Sequence, residues 1–526
     1  MPFRFALHPL LRGLVLPAAL AISAAASTTA SAAPEAEQKA PPGKVAHPEP
    51  AAAPAKLDNG KSTNALIGLL PPDSVTRHDI TLDGHRIGYT ATAGTLELRD
   101  EKGEPAARVF YVAYVADGQA AEKRPVSFFF NGGPGAGSAF LHLGAAGPQV
   151  LNFPAGNPTD GANATLSANP DSWLRFTDMV FIDAVGTGYS LPEHPDDAAK
   201  RFYGVKQDGS AFAEAIRIWL GRNNRTRSPK YLVGESYGGI RSIKTAYALQ
   251  TEQNVPLAGV VMISPAIEMG LLDDRDNPID DALLLPSLAA SAAAASGPVS
   301  PAKLDEFYRY AVGSYLTTLA NAPPQGDAAD AFYGKVASVT GLPKEVVAKE
   351  RGMLSVQAHD VRSRDGRLYS LYDGTLSIAD PYPEGIDNGD SPDPVLFGFG
   401  LAYGNAVTGY LAEQLGFRTD LKYDLLDYGV NAAWNFKQDG DLVARSTPDL
   451  RKLLALNPSL RVFIANGAFD LACPFSTSRY VVEHLPLGRD RIRLKVYPGG
   501  HMLYTRPDSR AALAKDVAAL YTRPAP

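Results

Sequence analysis

From Ser74 onward the chain alternates. "HDITLDGHRIGYTATAGTLELRDEKGEPAARVFYVAYV" places apolar and polar residues in turn around breaks at Asp83-Gly84 and Gly103, the period-two pattern of antiparallel strands. The texture then shifts to short, unbroken apolar runs: "PVSFFF" (Pro125 to Phe130), "DMVFID" (Asp178 to Asp183), "KYLVG" (Lys230 to Gly234) and "AGVVMIS" (Ala258 to Ser264). Such runs predict parallel strands covered on both faces. "GSAFAEAIRIWLGRN" (Gly209 to Asn223) reads as a helix between the second and third run, and another helix follows Ser236. Strand–helix–strand alternation of this kind predicts a doubly wound, mostly parallel α/β sheet.

After Ser264 the alternation stops for more than a hundred residues. An Ala/Leu-rich helical stretch, "LLLPSLAASAAAASGPVSPAKLDEFYRYAVGSYLTTLANA", and Pro/Gly/Asp-rich loops around "DPYPEGIDNGDSPDP" predict an inserted helical cap over 268–400. Strands return at "RVFIANG" (Arg461 to Gly467) and "RIRLKVYPGG" (Arg491 to Gly500). The sheet core is therefore expected in two pieces, 57–267 and 401–526. No internal repeat is present.

The amino-terminal residues have a different character. Arg4 and Arg12 precede an apolar stretch from Gly13 to Ala26, and "ASA" (Ala30, Ser31, Ala32) supplies small residues for cleavage. Residues 1–32 are expected to be an export signal, with cleavage after Ala32. The run is shorter than the ~20 residues of a spanning helix, and Pro17 interrupts it, so no membrane span is expected once the signal is removed. Residues 33–56 are Ala/Pro-rich without periodicity and read as a flexible tether.

Composition narrows the classes. A chain of 526 residues, 45% hydrophobic and 20% charged, is expected to form a packed globular body. Its net charge of -6, with no long basic run, argues against nucleic acid as a partner. The single cysteine, Cys473, cannot form an intramolecular disulfide and has no neighbouring cysteine or histidine cluster to make a metal site. It is read as a small buried filler.

The candidate chemistry lies at the end of the third apolar run. "GESYG" (Gly234 to Gly238) fits the Gly-x-Ser-x-Gly elbow, in which a sharp strand-to-helix turn projects the serine outward. Alone the pentapeptide is weak; the strand before it and the helix after it give it weight. A serine at its ordinary pKa needs a base, and the base an orienting acid. Only His359, His484 and His501 follow Ser236. His359 falls in the expected cap, and His484 in the helix-like "SRYVVEHLPL", where a partly buried structural histidine is expected. His501, in "VYPGGHMLY", follows a strand on a loop and is the candidate base. Asp470, just past the strand "RVFIANG", is the candidate acid, although a helix-capping aspartate fits the same local pattern. Asp420, Asp424 and Asp427 compete without the strand-end position. Oxyanion stabilisation needs two N–H donors, expected at Tyr237 and from the Gly-rich loop "FFFNGGPGAGS". That loop lacks the Lys-Ser/Thr ending of a phosphate-binding loop.

Four separated segments together resemble the serine carboxypeptidases: "NGGPGAGS" (Asn131 to Ser138), "DAVGTGYS" (Asp183 to Ser190), "GESYGG" (Gly234 to Gly239), and the closing pair "NGAFD" and "GGHM". "NPDSWLRFTDMVFID" and "VNAAWNF" (Val430 to Phe436) are similar to further family segments. The resemblance runs from Pro125 to Tyr504, is weakest across the expected cap, and points to an exported, bacterial-type member. It implies an α/β-hydrolase fold, with Ser236 as nucleophile, Asp470 as acid and His501 as base. It also implies oxyanion donors at the N–H groups of Gly133 and Tyr237, and a grip on the substrate's C-terminal carboxylate by Asn131 and Glu235. The implied activity is stepwise release of C-terminal residues from peptides, without metal or cofactor. A salt bridge behind the elbow is the plainer reading of Glu235. Three departures stand out: Ala136 replaces the family's cysteine, Ala184 its proline, and Ala145 a second glutamate of the carboxylate grip. An esterase or acyltransferase on the same scaffold is the first rival, and an exported binding protein without activity the second.

Overall fold

The computed structural model describes residues 64–522 apart from 155–156, 158, 273–276, 355–361, 385–392, 438–439 and 441–442. The expected signal and tether, His359, and most of "DPYPEGIDNGDSPDP" lie outside the described residues.

A 10-stranded sheet organises the molecule. Its strands are β1 (Ser74–Leu82), β2 (His85–Arg99), β3 (Pro105–Ala116), β4 (Val126–Phe130), β5 (Asp178–Ile182), β6 (Leu191–Pro192), β7 (Lys230–Glu235), β8 (Gly259–Ile263), β9 (Arg461–Gly467) and β10 (Ile492–Tyr497). They lie side by side in the order β1-β2-β3-β5-β4-β7-β8-β9-β10, with β6 paired to β3. The first three strands are antiparallel, and every pairing from β5 to β10 is parallel. The chain order reverses between β5 and β4. This is the doubly wound, mostly parallel sheet of an α/β-hydrolase.

The apolar runs are strands because both of their faces are covered. All residues of β4, β5, β7 and β8 are buried. Alternate side chains divide between two cores: Phe129, Phe181, Val233, Val261 and Phe463 on one face, Phe128, Val180, Leu232, Val260 and Val462 on the other. Burying each such side chain contributes about 1.5–3 kcal/mol. Below the sheet, Asp178 at the start of β5 pairs with Arg124 at 2.7 Å and Arg225 at 2.5 Å, which ties the lower ends of β4 and β5 to the segment entering β7.

Helix α1 (Val205–Arg222) begins at Val205 rather than at Gly209. Gly209 lies inside α1, where α2 (Gly238–Thr251) crosses so closely that a Cβ would come 2.8 Å from Lys244 Cβ. The expected cap region holds helices Pro278–Ala294, Pro301–Tyr310 and Gly326–Thr340 and a three-stranded sheet between residues 363 and 379. The helix Pro394–Glu413 runs through residue 400.

Candidate active site

Between β7 and α2 the chain turns sharply at Ser236. Ser236 adopts φ 61, a left-handed conformation that non-glycine residues occupy rarely and at a cost of order 1–3 kcal/mol. Its backbone holds the strain by three bonds: Ser236 N–H donates to Ile263 O at 3.1 Å, while Ser236 O accepts from Gly239 N and Ala266 N at 2.8 and 2.9 Å. Gly234 has no alternative residue, because a Cβ there would overlap Gly238 O of the returning helix. Ser236 is left half-buried while Glu235 and Tyr237 on either side are buried.

His501 and Asp470 arrive from the ends of neighbouring strands. Asp470 follows β9 and His501 follows β10. His501 Nδ1 lies 2.8 Å from Asp470 Oδ2; Nδ1–H donates to the carboxylate, which leaves Nε2 as the basic nitrogen. The other Asp470 oxygen accepts from Ala472 N and Cys473 N, each at 2.9 Å. Asp470 thus stabilises a turn as well as the imidazole, but it caps no helix: the helix that follows, Phe475–Glu483, has Pro474 at its N-cap. His501 is fixed further by its backbone. Its N–H donates to Tyr372 O at 2.6 Å, and its O accepts from Ser264 Oγ at 2.7 Å. The end of β8 therefore holds both partners, Ser236 through Ile263 and His501 through Ser264. The ring also meets Tyr372 edge-on, with centroids 5.3 Å apart.

The competing residues lie elsewhere. Asp424 pairs with Lys422 at 2.8 Å, Asp427 caps a short helix by accepting from Val430 N at 2.8 Å, and Asp420 is exposed. His484 is exposed rather than partly buried: it follows the last residue of the helix Phe475–Glu483, and its Nδ1 meets Tyr480 O at 2.7 Å.

The Gly-rich loop after β4 lies against the elbow. A Cβ on Gly132 would come 2.5 Å from Tyr237 N and 2.7 Å from Glu235 O, so only glycine permits this approach. The N–H groups of Gly133 and Tyr237 have no backbone acceptor among the described residues. The loop is held by other motif segments: Asp183 accepts from Ser138 N and Oγ at 2.7 Å each, and Asn431 Nδ2 donates to Pro134 O at 2.9 Å. Tyr237 OH accepts from Trp434 Nε1 at 3.2 Å.

Glu235 is 1% exposed, and among the described residues no lysine or arginine pairs with it. Asn131 Nδ2 donates to its Oε2 at 2.5 Å, and Tyr504 OH meets Oε1 at 3.0 Å and Oε2 at 2.8 Å. Burial pushes its carboxyl up to about 7, with Asp470 adding to the rise, against the opposing pull of His501, Tyr504 and Asn131. For His501 burial pulls the imidazole down, but the charge and hydrogen bond of Asp470, with Glu235, leave it raised above its ordinary value. The salt bridge considered for Glu235 is not formed.

Three neighbours of the site gave no signal of their own in the chain. Cys473 is buried as expected, and its backbone N–H donates to the Asp470 carboxylate. Tyr372, from the expected cap, braces His501. Tyr504 follows His501 by one short 3-10 turn, Leu503–Thr505, and only its spacing after "GGHM" could have drawn notice. Among the described residues no group of three His, Cys, Asp or Glu side chains is placed to hold a metal ion.

Comparisons with known proteins agree with the motifs. Residues 85–270 match the family model described as serine carboxypeptidase; this span includes the elbow and the Gly-rich loop but ends before Asp470 and His501. "Serine carboxypeptidase-like 36" of Arabidopsis thaliana is 22% identical over 409 residues, 76% of this chain and 72% of the relative. "Carboxypeptidase sxa2" of Schizosaccharomyces pombe is 31% identical over 140 residues, 26% of this chain and 25% of that one. The crystal structure of homoserine O-acetyltransferase from Bacillus anthracis covers 87% of this chain and 100% of its own at 11% identity and a TM-score of 0.37; the fold assignment stands on the sheet order itself. With its elbow and Gly-rich loop inside the matched span, the chain is similar to the serine carboxypeptidases over residues 85–270.

Proposed function

We propose that the protein is a serine-type carboxypeptidase that releases C-terminal amino acids from peptides through an acyl-enzyme. The observation that carries this reading is the Asn131–Glu235 pair, a buried carboxyl group without a cationic partner, directly beside Ser236. A catalytic serine needs no such neighbour for acyl transfer, and a permanent negative charge there would repel the anionic intermediate. A protonated Glu235, by contrast, donates a hydrogen bond to a substrate's terminal carboxylate alongside Asn131. The carboxyl, pushed up to about 7 by burial, supplies that proton at and below neutral pH.

In the proposed cycle His501 Nε2 takes the Ser236 proton as Oγ attacks the scissile carbonyl, while Asp470 stabilises the imidazolium. The tetrahedral oxyanion is met by the N–H groups of Gly133 and Tyr237; each such donor is worth about 10²–10³ in turnover. His501 then protonates the leaving amine, the released C-terminal residue departs, and water attacks the Ser236 ester by the same route in reverse.

Ala145 gives the second reading its footing. Without a second carboxyl at that position the grip on a terminal carboxylate is lighter, and ester acyl transfer needs only the serine, its base and the oxyanion donors. Labelling by a fluorophosphonate that is abolished in Ser236→Ala tests the nucleophile. Comparing release of a free C-terminal amino acid with turnover of a simple ester then separates peptidase from esterase. The features of residues 1–32 support an exported protein, periplasmic or secreted.

A further inference from the structure

The partners of Glu235 come from separate parts of the chain. Asn131 follows β4, while Tyr504 stands on the 3-10 turn behind His501. His501, Asp470 and the Cys473 thiol are within electrostatic reach of the carboxyl, as is the Tyr403 hydroxyl of the helix Pro394–Glu413. Tyr403 in turn senses Arg510, which is paired with Asp171 at 3.0 Å. Tyr403 is fully buried, and its hydroxyl has no hydrogen-bond partner among the described residues. The two tyrosines rest on one spot. A Cβ at Gly144 would come 2.6 Å from Tyr504 Cε2 and would overlap the Tyr403 hydroxyl. Gly144 adjoins Ala145, the position where the family pattern has its second glutamate, and Ala145 is buried beneath.

Resting on the carboxypeptidase reading above, we propose that Tyr504 is a positioning residue for Glu235, supplying from behind His501 the second polar partner that the family pattern draws from residue 145. Its hydroxyl straddles both Glu235 oxygens and fixes the carboxyl plane. The replacement changes the chemistry of the grip. Two carboxyl groups that share one proton titrate in two displaced steps. A phenol whose ionisation is pushed well above its ordinary range by burial keeps its proton throughout, so the pair here titrates once, at Glu235. The hydroxyl also stabilises the charged carboxylate and opposes the effect of burial. It thereby holds the loss of substrate binding near neutrality rather than letting it drift to higher pH.

The test is Tyr504→Phe in the full chain, which removes one oxygen and keeps the ring. KM and kcat are measured across pH for a peptide with a free C-terminus and for its methyl ester; ester turnover in the same variant reports that the elbow is assembled. The wild-type KM for the free-acid peptide rises through neutrality. In Tyr504→Phe the midpoint of that rise moves upward by about one pH unit, a tenfold change in the apparent ionisation constant of the coupled Glu235–His501 group. In a Glu235→Gln background the same replacement moves no midpoint. A midpoint that stays in place in Tyr504→Phe, while the wild type shows the rise, overturns the role of Tyr504 alone. A wild-type KM independent of pH overturns the Glu235 grip itself and the role of Tyr504 with it.

Discussion

Asp470 Oδ2 lies 2.8 Å from His501 Nδ1, and both side chains are almost completely buried. The carboxylate's other oxygen is committed to Ala472 N and Cys473 N. Asp470 is therefore held from below while it holds the imidazole above, so the ring of His501 is oriented before any substrate arrives.

This geometry makes Asp470→Asn the informative replacement. Asparagine keeps an oxygen for the two turn N–H groups, so the fold is retained. Its amide, turned to His501, donates to Nδ1 and forces the proton onto Nε2, where the base must be free. Turnover is expected to fall on the order of 10⁴, as in other triads of this type. Asp424→Asn, which only loses a surface pair with Lys422, is expected to retain near-normal turnover. Steady-state kinetics of the two variants check this.

Glu235 predicts a pH dependence with a definite sign. Its carboxyl is neutral below about 7 and charged above. KM for peptides with a free C-terminus is expected to rise as pH increases through neutrality, while esters or amides lacking that carboxylate show much less of the rise. Glu235→Gln, a permanent neutral donor, flattens the dependence. Because Glu235 and His501 sense each other, the observed midpoints belong to the coupled group rather than to either residue.

The same shift is a statement about stability. Raised from 4.5 to about 7 in the folded protein, the group favours folding fully below its unfolded value, and this contribution is lost as pH rises through about 7. The total is at most about 3 kcal/mol. Glu235→Gln does not titrate, so its stability relative to wild type is expected to improve as pH rises from 4.5 to about 7 and to level off above that. Urea unfolding at a series of pH values measures the difference; a constant gap contradicts the assignment.

Much of this site is written locally in the chain, and the reasons are physical. "RVFIANG" coincides with β9 because a strand covered on both faces tolerates no polar alternation. The elbow is legible because Gly234 must be glycine wherever a helix returns so tightly over a strand. Asp470 and His501 are legible as residues just past the ends of strands. Longer-range effects are not. Gly209 reads as a helix boundary, but it is a crossing point whose partner, Lys244, lies on the next helix. His484 reads as partly buried from its apolar neighbours, whereas the helix ends one residue earlier and turns it to solvent. Tyr372 braces His501 from a segment 129 positions away, which no local pattern encodes. Tyr504 carries no signal in the chain, because only the 3-10 turn brings its hydroxyl to Glu235.

On the proposed reading, Ser236 carries out acyl transfer on peptides held by their C-terminal carboxylate. Mass spectrometry of a defined peptide mixture after incubation with the enzyme tests it most directly, with Ser236→Ala as the control and C-terminally amidated copies of the same peptides included. The expected result is ladders that shorten one residue at a time from the C-terminus, absent with Ser236→Ala and strongly reduced for the amidated copies. Internal cuts, trimming from the N-terminus, or equal trimming of free-acid and amidated peptides would contradict it.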